Sequence, residues 1–90
     1  PSSPRSRPEG WAHYVAEFGL ELQRRRHDAG LSQQALADLA GISRYRYGLL
    51  EAGGQVDKEA NPSLLVLVRL ANALGVTVND LLPDHRHLRG

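Results

Sequence analysis

Residues 31–53 read LSQQALADLAGISRYRYGLLEAG, and the interpretation of this stretch decides the fold. Ser32 and Ser43 each stand just before a short amphipathic run, where a hydroxyl can cap the first free N–H groups of a helix. Between the two runs, Ala40-Gly41-Ile42 makes a three-residue turn with glycine at its sharpest point. Helices joined this tightly cross at a wide angle, the geometry of a helix-turn-helix. The second helix of the pair opens on Arg44-Tyr45-Arg46, two guanidinium groups at the end with which such a helix meets base edges. The stretch predicts a sequence-specific DNA-binding domain.

Upstream, a first helix is expected from Trp11 to about Ala29, with Val15, Phe18 and Leu22 on its inward stripe and Arg26 one turn further along the same face. Gly30 ends it. In helix two Leu36, Leu39 and Ala40 are expected to face inward, and in helix three (about 43–52) Tyr47 and Leu50, with Gly53-Gly54 as its stop. A polar loop, 54–61, follows. Asn61-Pro62-Ser63 then opens helix four, where Leu64, Leu67, Ala71 and Leu74 recur at helical spacing until Gly75. A short fifth helix is expected around Asn79 to Leu82, stopped by Pro83. Residues 1–10, rich in Pro, Ser and Arg, read as a flexible arm or an appended remnant, and residues 84–90 as a frayed tail. With neither strand alternation nor an internal repeat, the fold class is all-α: a compact five-helix bundle over residues 11–83.

Bulk properties narrow the field. Ninety residues hold one small domain, and with no cysteine neither a disulfide nor a cysteine-ligated zinc can brace it. No apolar stretch approaches a membrane span and no segment resembles a signal peptide, so the cytoplasm is the expected compartment. A net charge of +1 points to no partner by itself. Its distribution says more, because arginines cluster at Arg5 and Arg7, at Arg24 to Arg26, and at Arg44 and Arg46. The chain also lacks methionine and reads as a processed, trimmed or excised piece.

Residues from about Phe18 to Leu82 resemble the phage lambda-repressor/Cro (Xre-type) helix-turn-helix family. The resemblance rests on Gly30-Leu31-Ser32-Gln33, Leu36-Ala37, Ala40-Gly41-Ile42-Ser43, Leu50-Glu51 with Gly53, Asn61-Pro62-Ser63-Leu64, Leu70-Ala71 with Ala73-Leu74-Gly75-Val76, and Asp80-Leu81-Leu82. It implies a lambda-repressor-like bundle that binds palindromic double-stranded operator DNA as a homodimer, helix three of each subunit entering one major-groove half-site. By the same resemblance Arg44, Tyr45 and Leu49 are base-facing, while Gln33, Ser43 and Arg46 contact phosphate. Arginine suits guanine because it can grip O6 and N7 with two parallel hydrogen bonds. Arg26 and Glu51 match a structural ion pair tying helix one to helix three.

Three features depart from that pattern. The loop before Pro62 is long and sets Asp57 and Glu59 around Lys58, a poor surface for phosphate. Gly48 interrupts the recognition helix. Surplus apolar residues, Trp11 and Tyr14 on helix one with Leu65 and Val66 on helix four, offer a surface for a dimer or another partner. His13, His27, His85 and His87 show no metal-site spacing, so no metal or other cofactor is expected. No catalytic set is present, and no obvious pocket is expected in so small a bundle, which argues against an enzyme. The expected function is a bacterial or phage transcriptional regulator, a repressor in the first instance. The alternative is a protein-interaction module, or an antitoxin of a toxin–antitoxin pair, keeping the same fold.

Overall fold

The computed structural model describes residues 9–53 and 61–88. The arm with Arg5 and Arg7, and the loop with Asp57, Lys58 and Glu59, lie outside the described residues. Among the described residues five helices follow one another: α1 (Trp11–Asp28), α2 (Gln33–Ala40), α3 (Arg44–Ala52), α4 (Leu64–Leu74) and α5 (Val78–Leu81).

Local chemistry sets most of these boundaries. Ser32, Ser43 and Ser63 each accept a hydrogen bond from the backbone N–H three residues on, at 3.0, 3.0 and 3.1 Å, satisfying donors that the first turn leaves free. Thr77 does the same for Asp80, whose carboxylate accepts from the Thr77 N–H in return. That box starts α5 at Val78, one residue before the expected Asn79. At the turn, Gly41 takes φ +71°, a conformation that side-chain-bearing residues rarely adopt. The Ile42 N–H then reaches the Ala37 carbonyl at 3.0 Å and the Gly41 N–H the Asp38 carbonyl at 3.2 Å, closing α2. The same pair of bonds ends α1 before Leu31 and α4 before Val76. In all three turns the apolar residue after the glycine packs against the core, so each stop also aims a side chain inward.

The core joins Phe18 and Leu22 of α1 to Leu36, Ala37 and Ala40 of α2, Tyr47 and Leu50 of α3, Leu70 and Ala71 of α4, and Leu81 of α5. Two expected core positions are corrected. Leu39 is 62% exposed and Leu64 72% exposed, their places being taken by Ala37 and Leu70. At about 100° per residue, Leu36, Ala37 and Ala40 centre the stripe of α2 well away from Leu39, whereas Leu64 is the first residue of α4 and lies at the end of its stripe. Val66, expected outside the stripe, packs partly buried against the core. In the tail, Asp84 holds Arg86 at 2.8 Å, and the Leu88 N–H donates to the His85 carbonyl at 3.0 Å.

Candidate nucleic-acid interface

The second helix of the helix-turn-helix is held by one carboxylate. Glu51, on the last turn of α3, accepts from Arg26 Nε at 2.6 Å and from Arg26 Nη2 at 3.2 Å. It also accepts from Gln33 Nε2 at 2.9 Å and from the Tyr47 hydroxyl. Arg26 Nη1 donates to the Leu31 carbonyl at 2.9 Å. Three helices thus meet at one residue: α1 through Arg26, α2 through Gln33 and α3 through Tyr47. The Arg26 and Glu51 side chains are only 8% and 6% exposed, and each has its hydrogen-bonding groups engaged. That matters, since a buried charge left unpaired is costly.

Burial by itself would push the Glu51 carboxyl up; the hydrogen bonds from Arg26, Tyr47 and Gln33, with the Arg26 charge, outweigh it and hold the group below its ordinary value. Burial and the bond to Glu51 hold the Tyr47 phenol well above its ordinary value, so it stays a donor. The Tyr47 and Gln33 bonds escaped the sequence reading. Tyr47 lies four residues before Glu51, a spacing that could have suggested the pair; nothing in the sequence signalled Gln33.

Around this hub α1 runs against the end of α3. A Cβ at Gly19 would lie 2.9 Å from the Leu50 carbonyl oxygen, and one at Gly53 would lie 2.9 Å from the Ala16 Cα. Neither glycine had been singled out as a packing residue, because each answers to a backbone distant in sequence.

The hub fixes the last turn of α3 and leaves its first turn open. Arg44, Tyr45 and Arg46 are exposed, Tyr45 to 75%, and Leu49 is half-buried beside them. Ser43 sits at the N-cap with its hydroxyl oxygen accepting from the Arg46 N–H. Among the described residues Arg24 and Arg25 pair with Glu21, Arg26 with Glu51 and Arg86 with Asp84, whereas Arg44 and Arg46 have no carboxylate partner. Arg69 of α4 is a third cation without one. Its Nη1 lies 3.7 Å from where a Gly41 Cβ would stand, so it flanks the turn that leads into α3. Sequence reasoning passed over Arg69 because only the fold carries α4 to that turn.

The surplus apolar residues do not form one patch. Trp11 and Tyr14 stack on each other, ring centroids 5.4 Å apart, and line an apolar cavity that had not been expected. Leu65 is exposed elsewhere on α4 and Val66 faces the core. Among the described residues no group of three or more His, Cys, Asp or Glu side chains is placed to hold a metal ion. Among the described residues no helix is long and apolar enough to cross a membrane.

A capped, glycine-turned helix pair, its second helix locked from behind and cationic in front, defines a helix-turn-helix domain. The chain belongs to that family, in its Xre or lambda-repressor-like branch: the family model described as a helix-turn-helix domain matches residues 17–83. It is 43% identical over 65 residues to an uncharacterized HTH-type transcriptional regulator, YonR, derived from the SPbeta prophage of Bacillus subtilis strain 168. That match covers 72% of this chain, which spans 56% of the regulator's length. Among solved structures it resembles the restriction-modification controller protein C.AhdI from Aeromonas hydrophila, with a TM-score of 0.67 and 35% identity over 76% of this chain and 96% of that one. It also resembles SinR, the master regulator for biofilm formation, in complex with DNA, with a TM-score of 0.62 and 26% identity over 71% of this chain and 95% of that one.

Proposed function

We propose that this chain is the sequence-specific DNA-binding domain of a bacterial or phage transcriptional regulator, acting as a repressor and not as an enzyme. The observation that carries the reading is the pair Arg44 and Arg46, exposed and unneutralised at the start of a helix whose last turn is fixed through Glu51. Base edges are read by Arg44, Tyr45 and Leu49: Arg44 by two hydrogen bonds to a guanine, Leu49 by contact with a thymine methyl. Phosphate is held by Arg46, by the Ser43 hydroxyl and by Gln33. The Gln33 amide has two N–H bonds, and Glu51 takes one, which orients the other. Helix amino ends add their free N–H groups and dipole to the phosphate contacts. Two copies bind a palindromic operator in the cytoplasm, one α3 to each half-site, as expected of a two-fold arrangement on DNA. SinR supports the DNA reading as a similar domain solved in complex with DNA.

The test is a titration of labelled duplex DNA at several salt concentrations. Phosphate neutralisation gives a log–log dependence on salt whose slope counts the contacts, so affinity should fall steeply between low and physiological salt. Affinity that stays weak and flat with salt contradicts the proposal. A second reading, a protein-interaction module or an antitoxin, is favoured by one observation: Leu64, Leu65 and Val68 of α4 stand 72%, 56% and 39% exposed. A domain that only binds protein predicts the flat titration.

A further inference from the structure

Helix α4 reads LLVLVRLANAL, in which only Arg69 and Asn72 are polar. A helix that is apolar all round is normally enclosed on every side. Leu70 and Ala71 are enclosed by the core, but Leu64, Leu65 and Val68 are exposed, and Asn72 continues their stripe one turn beyond Val68. Arg69 and Asn72 line an open hollow of about 400 Å³, which they share with Asp38, Leu39 and Gly41. Leu39 is exposed as well. The α4 stripe and Leu39 of α2 thus make one apolar face across two helices.

The charges on this face say what covers it. Asp38 accepts from Gln34 Nε2 at 2.8 Å through one carboxylate oxygen, Oδ1. Among the described residues neither Asp38 nor Arg69 has an ion-pair partner, although both line the same hollow. A carboxylate beside the guanidinium argues against nucleic-acid phosphate as the occupant. One open anion and one open cation beside apolar side chains make the face complementary to itself. A two-fold contact uses that property, since it sets residue i against j and j against i.

We propose that this face binds a second copy of the chain about a two-fold axis, with the exposed α4 stripes packed together and Arg69 of each copy facing Asp38 of the other. Gly41 lines the hollow, so the contact lies beside the turn into α3 and sets the separation of the two reading helices. That consequence rests on the DNA reading; the association does not.

The test is sedimentation equilibrium of the chain without DNA, at low ionic strength, where exposed charges are least screened. Asp38→Arg sets cation against cation and Arg69→Asp anion against anion, so either alone should weaken association by about tenfold or more. The double variant Asp38→Arg/Arg69→Asp should associate like the parent. An equimolar mixture of the two single variants should do so too, because each supplies the charge that the other lacks, and only a contact between copies allows that. Leu65→Asp should abolish association. All three positions are exposed, and circular dichroism reports that each variant is folded. The proposal is overturned if the parent stays a single copy at millimolar concentration, if either single charge variant or Leu65→Asp associates like the parent, or if the mixture stays single. A parent that pairs through this face yet gives a flat salt titration with DNA would keep the contact and remove the DNA reading; a steep titration from a parent that stays single would remove the contact alone.

Discussion

Gly19 on α1 lies so close to Leu50 on α3 that a Cβ at position 19 would stand 2.9 Å from the Leu50 carbonyl oxygen, and nearer still to that of Glu51. The recognition helix is therefore set against α1 by backbone contact as well as by the Arg26–Glu51 pair. Gly48, at the other side of the same helix, has no such neighbour: a Cβ there would meet only Arg44 Nη1, at 3.9 Å.

The two glycines should respond oppositely to alanine. Gly19→Ala forces α1 and α3 apart and should cost about 1–3 kcal/mol, the range for overpacking a core. Gly48→Ala adds a side chain in open space within a helix and should stabilise by about 0.5–1 kcal/mol. Urea unfolding of the two variants checks this. A Gly19→Ala variant as stable as the parent would mean that the α1–α3 spacing is not set by Gly19.

Glu51 should make stability depend on acid. Its carboxyl is held low in the folded chain, so the unfolded chain binds the proton first as pH falls. The contribution is complete above the unfolded carboxyl pKa of about 4.3 and is lost as pH drops through the lower folded value. Glu51→Gln removes the charge facing Arg26 and should destabilise by roughly 3–5 kcal/mol at neutral pH, the usual cost of stranding one half of a buried pair. It should also flatten the acid limb. Urea midpoints from pH 3 to pH 7 give both numbers, and an unchanged limb in the variant would assign it to other carboxylates.

Ser43 and Thr77 cap different helices with the same bond. Either one changed to alanine should cost about 1 kcal/mol of stability. Only Ser43→Ala should also weaken DNA binding, because its hydroxyl stands at the start of the reading helix. Parallel unfolding and binding curves separate the two effects, and equal DNA affinities for both variants would remove Ser43 from the interface.

Arg44 and Arg46 should differ in kind. Arg46→Ala should weaken binding to all sequences alike and lower the salt slope by about 1, as loss of one phosphate contact does. Arg44→Ala should cost about 1–3 kcal/mol chiefly on the preferred sequence, relaxing one base position. Competition between preferred and scrambled duplexes measures the split.

The helix order was legible because its punctuation is local: Ser43 before α3 and Gly41 at the turn act on backbone groups within a few residues. The faces of the short helices were harder to read. Leu39 and Leu64 are apolar and near the right spacing, but α2 has eight residues, and a stripe that short leaves its centre to tertiary packing. The close approach at Gly19, the bond from Gln33 to Glu51 and the place of Arg69 could not be read at all, since each depends on an element far off in sequence. The cavity was missed for the same reason: its walls come from both ends of the chain.

The central claim, that α3 reads DNA sequence through Arg44 while Arg46 grips phosphate, is tested most directly by selecting short duplexes from a random library at near-physiological salt. The parent chain and the double variant Arg44→Ala/Arg46→Ala are run side by side. The account predicts that the parent enriches a palindrome, whose half-site spacing reports the dimer, and that the double variant loses it while remaining folded. If the parent enriches no sequence and binds no tighter than the double variant, α3 is not a DNA-reading helix and the account is contradicted.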